Sequence, residues 1–189
     1  MRPDALRALQ APLKTQYKTD PSSAMFKLKA RGILGKDGVT CEIQTGMKGP
    51  VVAGLHPAAG GDGPFACAAD ILLEALVACA GVTLNVVATS LAIVVRGGTI
   101  SAEGDLDFRG TLGVNKDVPV GFTAIRLRFE LDTDADDATV NKLITLTERY
   151  CVVYQTLKGP PPITLAPFAK GRAVKPAPPT PPGAPVPPG

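Results

Sequence analysis

Cys79 and Cys151 are the two residues of this chain whose type and setting suggest chemistry. Cys79 ends an apolar run that begins at Ile71, and Cys151 follows residues 148–150; both segments are predicted to be helical. A thiolate with a second thiol in reach can reduce a peroxide and then be resolved as a disulfide. An isolated buried thiol, by contrast, is usually a small packed hydrophobe. The two roles differ in whether the fold brings the thiols together.

The remaining thiols and the histidine have plainer interpretations. Cys41 lies on the apolar side of a predicted strand and is expected in the core. Cys67, at a loop-to-helix junction, is either packed or a rival resolving thiol. His56 lies in a Gly/Pro-rich loop, which favours a surface role over catalysis. Because no close Cys-x-x-Cys pair accompanies these residues, the sequence does not predict a structural zinc site.

Composition narrows the class of protein. The chain has 189 residues, 45% hydrophobic content and a formal net charge of +3, which suits one domain with its own core. The basic residues form no dense patch, so nucleic acid is not an expected partner. No run of about twenty apolar residues is evident, and the N-terminus lacks the apolar core of a secretory signal. We therefore expect a soluble, cytoplasmic protein without membrane contact, whose thiols are free or redox-active.

Hydrophobic patterning predicts the first elements that would hold the thiols. Residues 1–20 form an amphipathic leader with leucines three and four positions apart. Residues 25–34 and 39–44 alternate polar and apolar side chains on either side of a glycine-containing turn, which predicts a β-hairpin. A Gly/Pro-rich loop follows over 55–64. Residues 69–88 are apolar on nearly every side, which predicts a helix at the centre of a domain or of a dimer.

The second half of the chain predicts two strands and another helix. The strands cover residues 99–112 and 122–131, each with one polar face. The acidic cluster 132–137 supplies the cap and first-turn carboxylates of the helix, whose inward stripe ends at Cys151. A short edge strand is predicted over 163–165.

This order of elements predicts an α+β fold. The compact domain is expected to span residues 21–168, between the leader 1–20 and a proline-rich, disordered tail over 169–189. One small sheet cannot cover a helix that is apolar all round. Since burial of each large apolar side chain contributes about 1.5–3 kcal/mol, a symmetric dimer that packs two such helices together is the simplest arrangement.

Two segments resemble the OsmC/Ohr family of thiol-dependent hydroperoxide reductases. Residues 70–79 (DILLEALVAC) are similar to the family's acidic, leucine-rich helix that ends in Ala-Cys. Residues 148–157 (ERYCVVYQTL) are similar to the segment around the family's second cysteine. The glycine-rich loop before Cys79 and the strand at 104–110 also resemble the group, and the whole match covers about residues 25–158. The order and spacing of the two cysteine segments make the resemblance fairly specific.

The resemblance implies an OsmC-like fold, in which antiparallel sheets wrap around the long central helices of an intertwined homodimer with two interfacial active sites. Cys79 would be the peroxidatic thiol and Cys151 the resolving thiol. The family also places an arginine and a carboxylate around the reactive thiol. Arg31 is the candidate arginine, and Asp70, with Glu74 second, is the candidate carboxylate. Nine residues of helix rise about 13.5 Å, so Asp70 can reach Cys79 only across the dimer.

The implied function is the reduction of organic hydroperoxides in oxidative stress defence. It needs no metal or flavin, and an external dithiol such as dihydrolipoamide would recycle the disulfide. The alternative is a non-catalytic dimer of the same fold, which binds a small apolar ligand or a partner at its interface while both cysteines are merely packed. A third possibility is an interaction module that acts through the proline-rich tail. A fast peroxide-reactive thiol with a lowered pKa separates the first reading from the second, and loss of binding on removal of residues 171–189 identifies the third.

Overall fold

A computed structural model describes residues 2–36, 38–45, 49–169 and 171–175 of the chain. Over these residues the protein has α+β content, with five α-helices and three sheets. The elements follow in the order α1 (Pro3–Thr19), β1 (Gly32–Leu34), β2 (Cys41–Ile43), β3 (Val51–Gly54), β4 (Ala66–Cys67), α2 (Ala68–Ser90), β5 (Gly97–Asp105), α3 (Phe108–Thr111), β6 (Ala124–Asp132), α4 (Asp137–Tyr150), α5 (Val152–Lys158), β7 (Phe168–Ala169) and β8 (Arg172–Ala173).

The core lies where α2 meets α4 and the pair β5–β6. One side of α2 is buried, and its buried residues are spaced for a single helix face: Leu76, Ala80, Leu84, Val87 and Ala88. Leu143 of α4 is fully buried against this face. The predicted central helix over 69–88 is therefore confirmed, with one or two residues added at each end.

The remaining sides of α2 are largely exposed in a single chain. Leu72, Val82 and Val86 are 39%, 67% and 36% exposed. An 18-residue window of α2 has a mean hydropathy of 2.1, and 28% of it is buried. By length and composition α2 could cross a membrane, a property that core helices of soluble proteins share. The expectation from the sequence that no segment has this composition is therefore wrong for α2.

Strands β5 and β6 form a long antiparallel pair. Their register runs from Gly97 opposite Asp132 to Asp105 opposite Ala124. The large apolar residues of β6 are half-buried, and Phe129 and Leu131 pack against the core. The predicted strand over 122–131 is confirmed, because its period of two matches the alternation of inward and outward side chains.

The predicted strand over 99–112 is correct only as far as Asp105. After it the chain turns into the short helix α3, because the carboxylate of Asp107 accepts a hydrogen bond from the backbone amide of Arg109 at 2.9 Å. Asx capping of this kind competes with an extended backbone. Gly110 then allows the chain to pass close to the carbonyl oxygens of Val118 and Pro119, where a β-carbon would clash.

The N-terminal sheet has the order β1-β2-β3-β4. Its first two strands form the predicted hairpin, with Leu34 opposite Cys41. The first strand is much shorter than expected, since residues 25–31 lie outside it. Phe26 and Leu28, which alternate in the sequence as if half-buried, are 73% and 91% exposed. An alternating pattern marks a face that suits burial, but no element within the described residues covers that face.

The two ends of the chain complete the fold. Helix α1 buries Leu6 and packs against α2. At the other end the edge strand predicted over 163–165 is absent from the described chain, and Ile163 and Leu165 are 85% and 72% exposed. The prolines just before them have no N–H to donate to a ladder, and the pairing occurs instead between β7 and β8. Most of the predicted tail over 169–189 lies outside the described residues, which end at 175.

Candidate active site

Cys79 lies in the middle of α2, on a half-buried side of the helix. Cys151 lies at the junction of α4 and α5, where its extended backbone (φ −75°, ψ 109°) ends one helix and begins the next. The Cys151 amide donates to the carbonyl of Thr147 at 2.9 Å, and its carbonyl accepts from the amide of Gln155 at 3.0 Å. Both helices therefore hold Cys151 firmly, and its side chain is 1% exposed.

The two thiols meet across the contact between α2 and the α4–α5 junction. The Cys79 and Cys151 side chains are hydrogen-bonded to each other, and both cysteines are in the free thiol form. Three further groups donate to the Cys79 sulfur: the backbone amides of Val153 and Val152, which open α5, and the hydroxyl of Thr83. A sulfur surrounded by donors is suited to carry negative charge.

The surroundings move the pKa values of the two thiols in opposite directions. Partial burial acts to raise the pKa of Cys79, but the hydrogen bonds from Val153, Cys151, Val152 and Thr83 outweigh it, and the pKa is lowered. Burial likewise raises the pKa of Cys151, and the neighbouring Cys79 sulfur adds to the rise, so that the pKa of Cys151 stays above its ordinary value despite hydrogen bonds from backbone amides. Cys79 therefore ionises first, and Cys151 remains a proton donor beside it.

The charged residues expected at this site lie elsewhere in the single chain. Arg31 is exposed on the stretch before β1, where its carbonyl accepts from the amide of Gln44 at 3.0 Å. Asp70 and Glu74 are exposed on α2 and line a groove of about 390 Å³ with Leu73, Val77, Ala78 and Ala102. None of the three is among the groups that shift the pKa of Cys79. The single chain thus brings together the two cysteines but not the arginine or the carboxylate.

The other arginines that could act at the site have partners of their own. Arg126 bonds both carboxylate oxygens of Asp105, at 2.6 and 2.7 Å. Arg109 pairs with Asp107 at 2.5 Å. Arg149, which adjoins Cys151 in the sequence, places its guanidinium 5.5 Å from the ring centroid of Tyr150 and does not shift the pKa of Cys151.

His56, Cys41 and Cys67 have local packing or capping roles. His56 caps a short 3₁₀ turn by accepting from the amide of Ala58 at 3.0 Å, and its ring stacks on Phe108 with centroids 5.0 Å apart. The Cys41 sulfur packs over Gly32, where a β-carbon would come within 2.7 Å of it. Cys67 precedes α2 without capping it through its side chain. Among the described residues, no group of three or more His, Cys, Asp or Glu side chains is placed to hold a metal ion.

Sequence reasoning missed the donors that surround Cys79. Thr83 had a readable signal, because a residue four positions along a helix lies on the same face. The amides of Val152 and Val153 had none, since no proline or glycine marks the break between α4 and α5 in the sequence.

A pocket of about 560 Å³ lies between α1, α2 and α4. Its walls come from α1, α2 and α4 and include Val82, Thr83, Val86, Leu146 and Tyr150, with Gln10 and Lys14 on the α1 side. Thr83 therefore borders both the pocket and the Cys79 sulfur.

Comparison with known proteins identifies relatives of this arrangement. The model of the OsmC-like protein family matches residues 61–166, which is more than half of the chain and includes both thiols. No curated protein matches the chain.

Several solved structures share the fold. The OsmC-like protein from Mycoplasma pneumoniae matches with a TM-score of 0.59 and 19% identity, over 71% of this chain and 89% of that one. An organic hydroperoxide resistance protein OsmC from Legionella pneumophila matches with a TM-score of 0.55 and 16% identity, over 71% of this chain and 91% of that one. An organic hydroperoxide resistance protein from Elizabethkingia anophelis matches with a TM-score of 0.53 and 14% identity, over 72% of this chain and 91% of that one. At these identities the likeness establishes the fold alone.

Proposed function

The chain belongs to the OsmC-like protein family, and on that premise we propose that it reduces organic hydroperoxides, with Cys79 as the attacking thiol and Cys151 as the resolving thiol. The observation that carries the proposal is the contact between two reduced cysteines whose pKa values are shifted in opposite directions. Attack on the peroxide needs an ionised nucleophile, and resolution needs a second cysteine that can reach the oxidised sulfur.

The reaction follows from these two thiols. The Cys79 thiolate attacks the terminal oxygen of the hydroperoxide, the O–O bond breaks, and an S–O bond forms. Cys79 is then a sulfenic acid, and the released alkoxide takes a proton from solvent to become an alcohol. Cys151 gives up its thiol proton and its sulfur attacks the sulfenic sulfur; the S–S bond forms, the S–O bond breaks, and the hydroxide leaves with that proton as water. The hydroperoxide is reduced, and the two thiols are oxidised by two electrons.

An external dithiol completes the cycle. One thiolate of a reductant such as dihydrolipoamide attacks a sulfur of the disulfide, and its second thiol displaces the mixed disulfide, so that both cysteines are reduced again. Cys79 is the more exposed of the two residues, whereas Cys151 is 1% exposed, which favours attack on the Cys79 sulfur. No metal or flavin takes part in these steps. A reducing cytoplasm suits an enzyme that depends on free thiols.

The proposed assembly is an intertwined homodimer, with sheets wrapped around paired α2 helices. It is supported by the exposed apolar surface of α2 and by the uncovered side chains of residues 25–34. A dimer also offers the route by which a charged group reaches the thiol: Arg31 of the partner subunit would assist ionisation and peroxide binding. Asp70 or Glu74 of the partner subunit would orient that guanidinium.

The test is stopped-flow oxidation of the reduced protein by cumene hydroperoxide and by hydrogen peroxide. We expect rapid oxidation with a preference for the organic peroxide, and complete loss of it in Cys79→Ser. In Cys151→Ser, a single oxidation of Cys79 should persist as a sulfenic acid that dimedone traps, while turnover with dithiol stops. Cys41→Ser is the matched control and should behave as the wild type. Slow oxidation of the wild type, with all thiols intact, would exclude the enzyme.

The second candidate function is ligand binding without catalysis, in a dimer of the same fold. The observation that favours it is the largely apolar pocket of about 560 Å³ between α1, α2 and α4. It predicts that an apolar molecule raises the melting temperature equally in the wild type and in Cys79→Ser, and that neither protein consumes peroxide.

A further inference from the structure

Thr83 has an unusual arrangement for a threonine inside a helix. Such a hydroxyl usually donates back to the carbonyl four residues earlier, as the buried Thr147 does to Leu143 at 2.8 Å in α4. The residue four positions before Thr83 is Cys79, and the Thr83 hydroxyl meets the Cys79 side chain. The spacing that places both residues on one face of α2 thus sets a hydroxyl donor on the sulfur.

The donors around Cys79 approach from different sides. Cys151 and the amides of Val152 and Val153 belong to the α4–α5 junction. Thr83 is the donor from α2 itself, and it is also the one that lines the pocket between α1, α2 and α4. It therefore borders both the Cys79 side chain and that cavity.

We propose that Thr83 is a positioning residue for Cys79, whose hydroxyl holds the sulfur toward a peroxide that enters from the pocket between α1, α2 and α4. The inference rests on the proposed function. In the resting protein the hydroxyl donates to the thiolate. When the S–O bond has formed, the sulfur no longer carries the charge, and the same hydroxyl is free to donate to the alkoxide that leaves. A threonine hydroxyl has one proton to donate and keeps two lone pairs, so it serves these acceptors in turn.

Several titratable and charged side chains lie on the elements that pack around Cys79. Cys151 is the titratable residue among its hydrogen-bond partners. Charged side chains on the packed helices include Lys14, which lines the same pocket, Glu148 and Arg149 in the last turn of α4, and Lys158 at the end of α5. A change at Thr83 alters none of these charges, so its effect reports on the hydroxyl.

The experiment compares Thr83→Val, which keeps the shape without the hydroxyl, with Thr83→Ser, which restores the hydroxyl. Thr89→Val is the matched control, because Thr89 is a half-buried threonine of the same helix. Two quantities are measured over pH: the rate of iodoacetamide alkylation at Cys79, followed by mass spectrometry, and the rate constant for oxidation by cumene hydroperoxide. Thr83→Ala replaces Thr83→Val if the latter does not fold.

Loss of the hydroxyl should move the alkylation midpoint upward, and the thiolate fraction and the oxidation rate near neutral pH should fall by the same factor. The oxidation rates of Thr83→Val and the wild type should converge above the new midpoint. Thr83→Ser and Thr89→Val should match the wild type. A folded Thr83→Val with an unchanged midpoint and unchanged rate would overturn the inference.

The two measurements separate this inference from the function on which it rests. If Thr83→Val shifts the alkylation midpoint of Cys79 but no peroxide oxidises the wild type, the role of Thr83 stands and the peroxidase function is refuted. If the midpoint is unshifted and the wild type is oxidised rapidly, the peroxidase function stands and the proposed role of Thr83 is refuted.

Discussion

The side chain of Cys79, in the middle of α2, is hydrogen-bonded to that of Cys151 at the junction of α4 and α5. Two distant parts of the chain thus meet at one pair of sulfur atoms. The α4–α5 junction supplies the site with backbone donors as well as the second thiol, because the first amides of α5 also donate to Cys79. The break between α4 and α5 is therefore part of the site.

The opposite pKa shifts predict an order of thiol reactivity. Because the pKa of Cys79 lies below its ordinary value of 9.0 and that of Cys151 lies above it, Cys79 should gain thiolate at lower pH. Alkylation by iodoacetamide, resolved by peptide mass, should show a midpoint below 9.0 for Cys79 and above it for Cys151. Cys151→Ala should raise the midpoint of Cys79, since the mutant loses a donor. Equal midpoints for the two thiols would contradict the assigned roles.

The exposed side of α2 predicts self-association. Val82 of α2 is 67% exposed in the single chain, and Val94, which lies beyond the end of the helix, is 70% exposed. If two α2 helices pack together, Val82→Glu should raise the dimer dissociation constant at least about tenfold, because it buries a charge. Val94→Glu is the matched control and should leave the dimer intact. Light scattering after size-exclusion chromatography measures both, and a wild type that elutes as a monomer would refute the dimer.

The end of α2 predicts a stabilising substitution. Ala92 has φ 55°, and the amide of Ile93 closes the helix end on the carbonyl of Ala88 at 2.9 Å. Glycine adopts this left-handed conformation without a β-carbon penalty, so Ala92→Gly should raise the free energy of unfolding by about 0.5–1 kcal/mol. Ala138→Gly, at an exposed position of α4, should lower it by about the same amount. Urea denaturation tests both, and a destabilised Ala92→Gly would show that α2 does not end in this way.

Strong periodicity made α4 and β6 predictable from the sequence, and a long run that is apolar on nearly every side did the same for α2. In β6 the alternation of residues such as Leu127 and Arg128 matches one buried and one wet face. In α4, Asp136 caps the helix as its residue type predicts, by accepting from the amide of Thr139 at 2.8 Å. These elements were predictable because local preference and burial agree in them.

Other features of the fold depend on tertiary contacts, which the hydrophobic pattern of the sequence does not specify. Helix α5 follows α4 with only Cys151 between them, and no proline or glycine marks this break in the sequence. Phe26 and Leu28 alternate as in a strand, but no strand of the described part of the chain pairs with them. At the site, the approach of Cys79 to Cys151 depends on how α2 packs on the junction, and neither helix encodes that distance by itself. Arg31, Asp70 and Glu74 remain predictions for the dimer.

The most direct test of the central claim is disulfide mapping after the reduced protein meets one equivalent of cumene hydroperoxide. The account predicts one dominant linked peptide pair, Cys79 with Cys151, and free thiols at Cys41 and Cys67. A protein in which all four thiols stay reduced, or in which the disulfide joins Cys79 to Cys67, would contradict it.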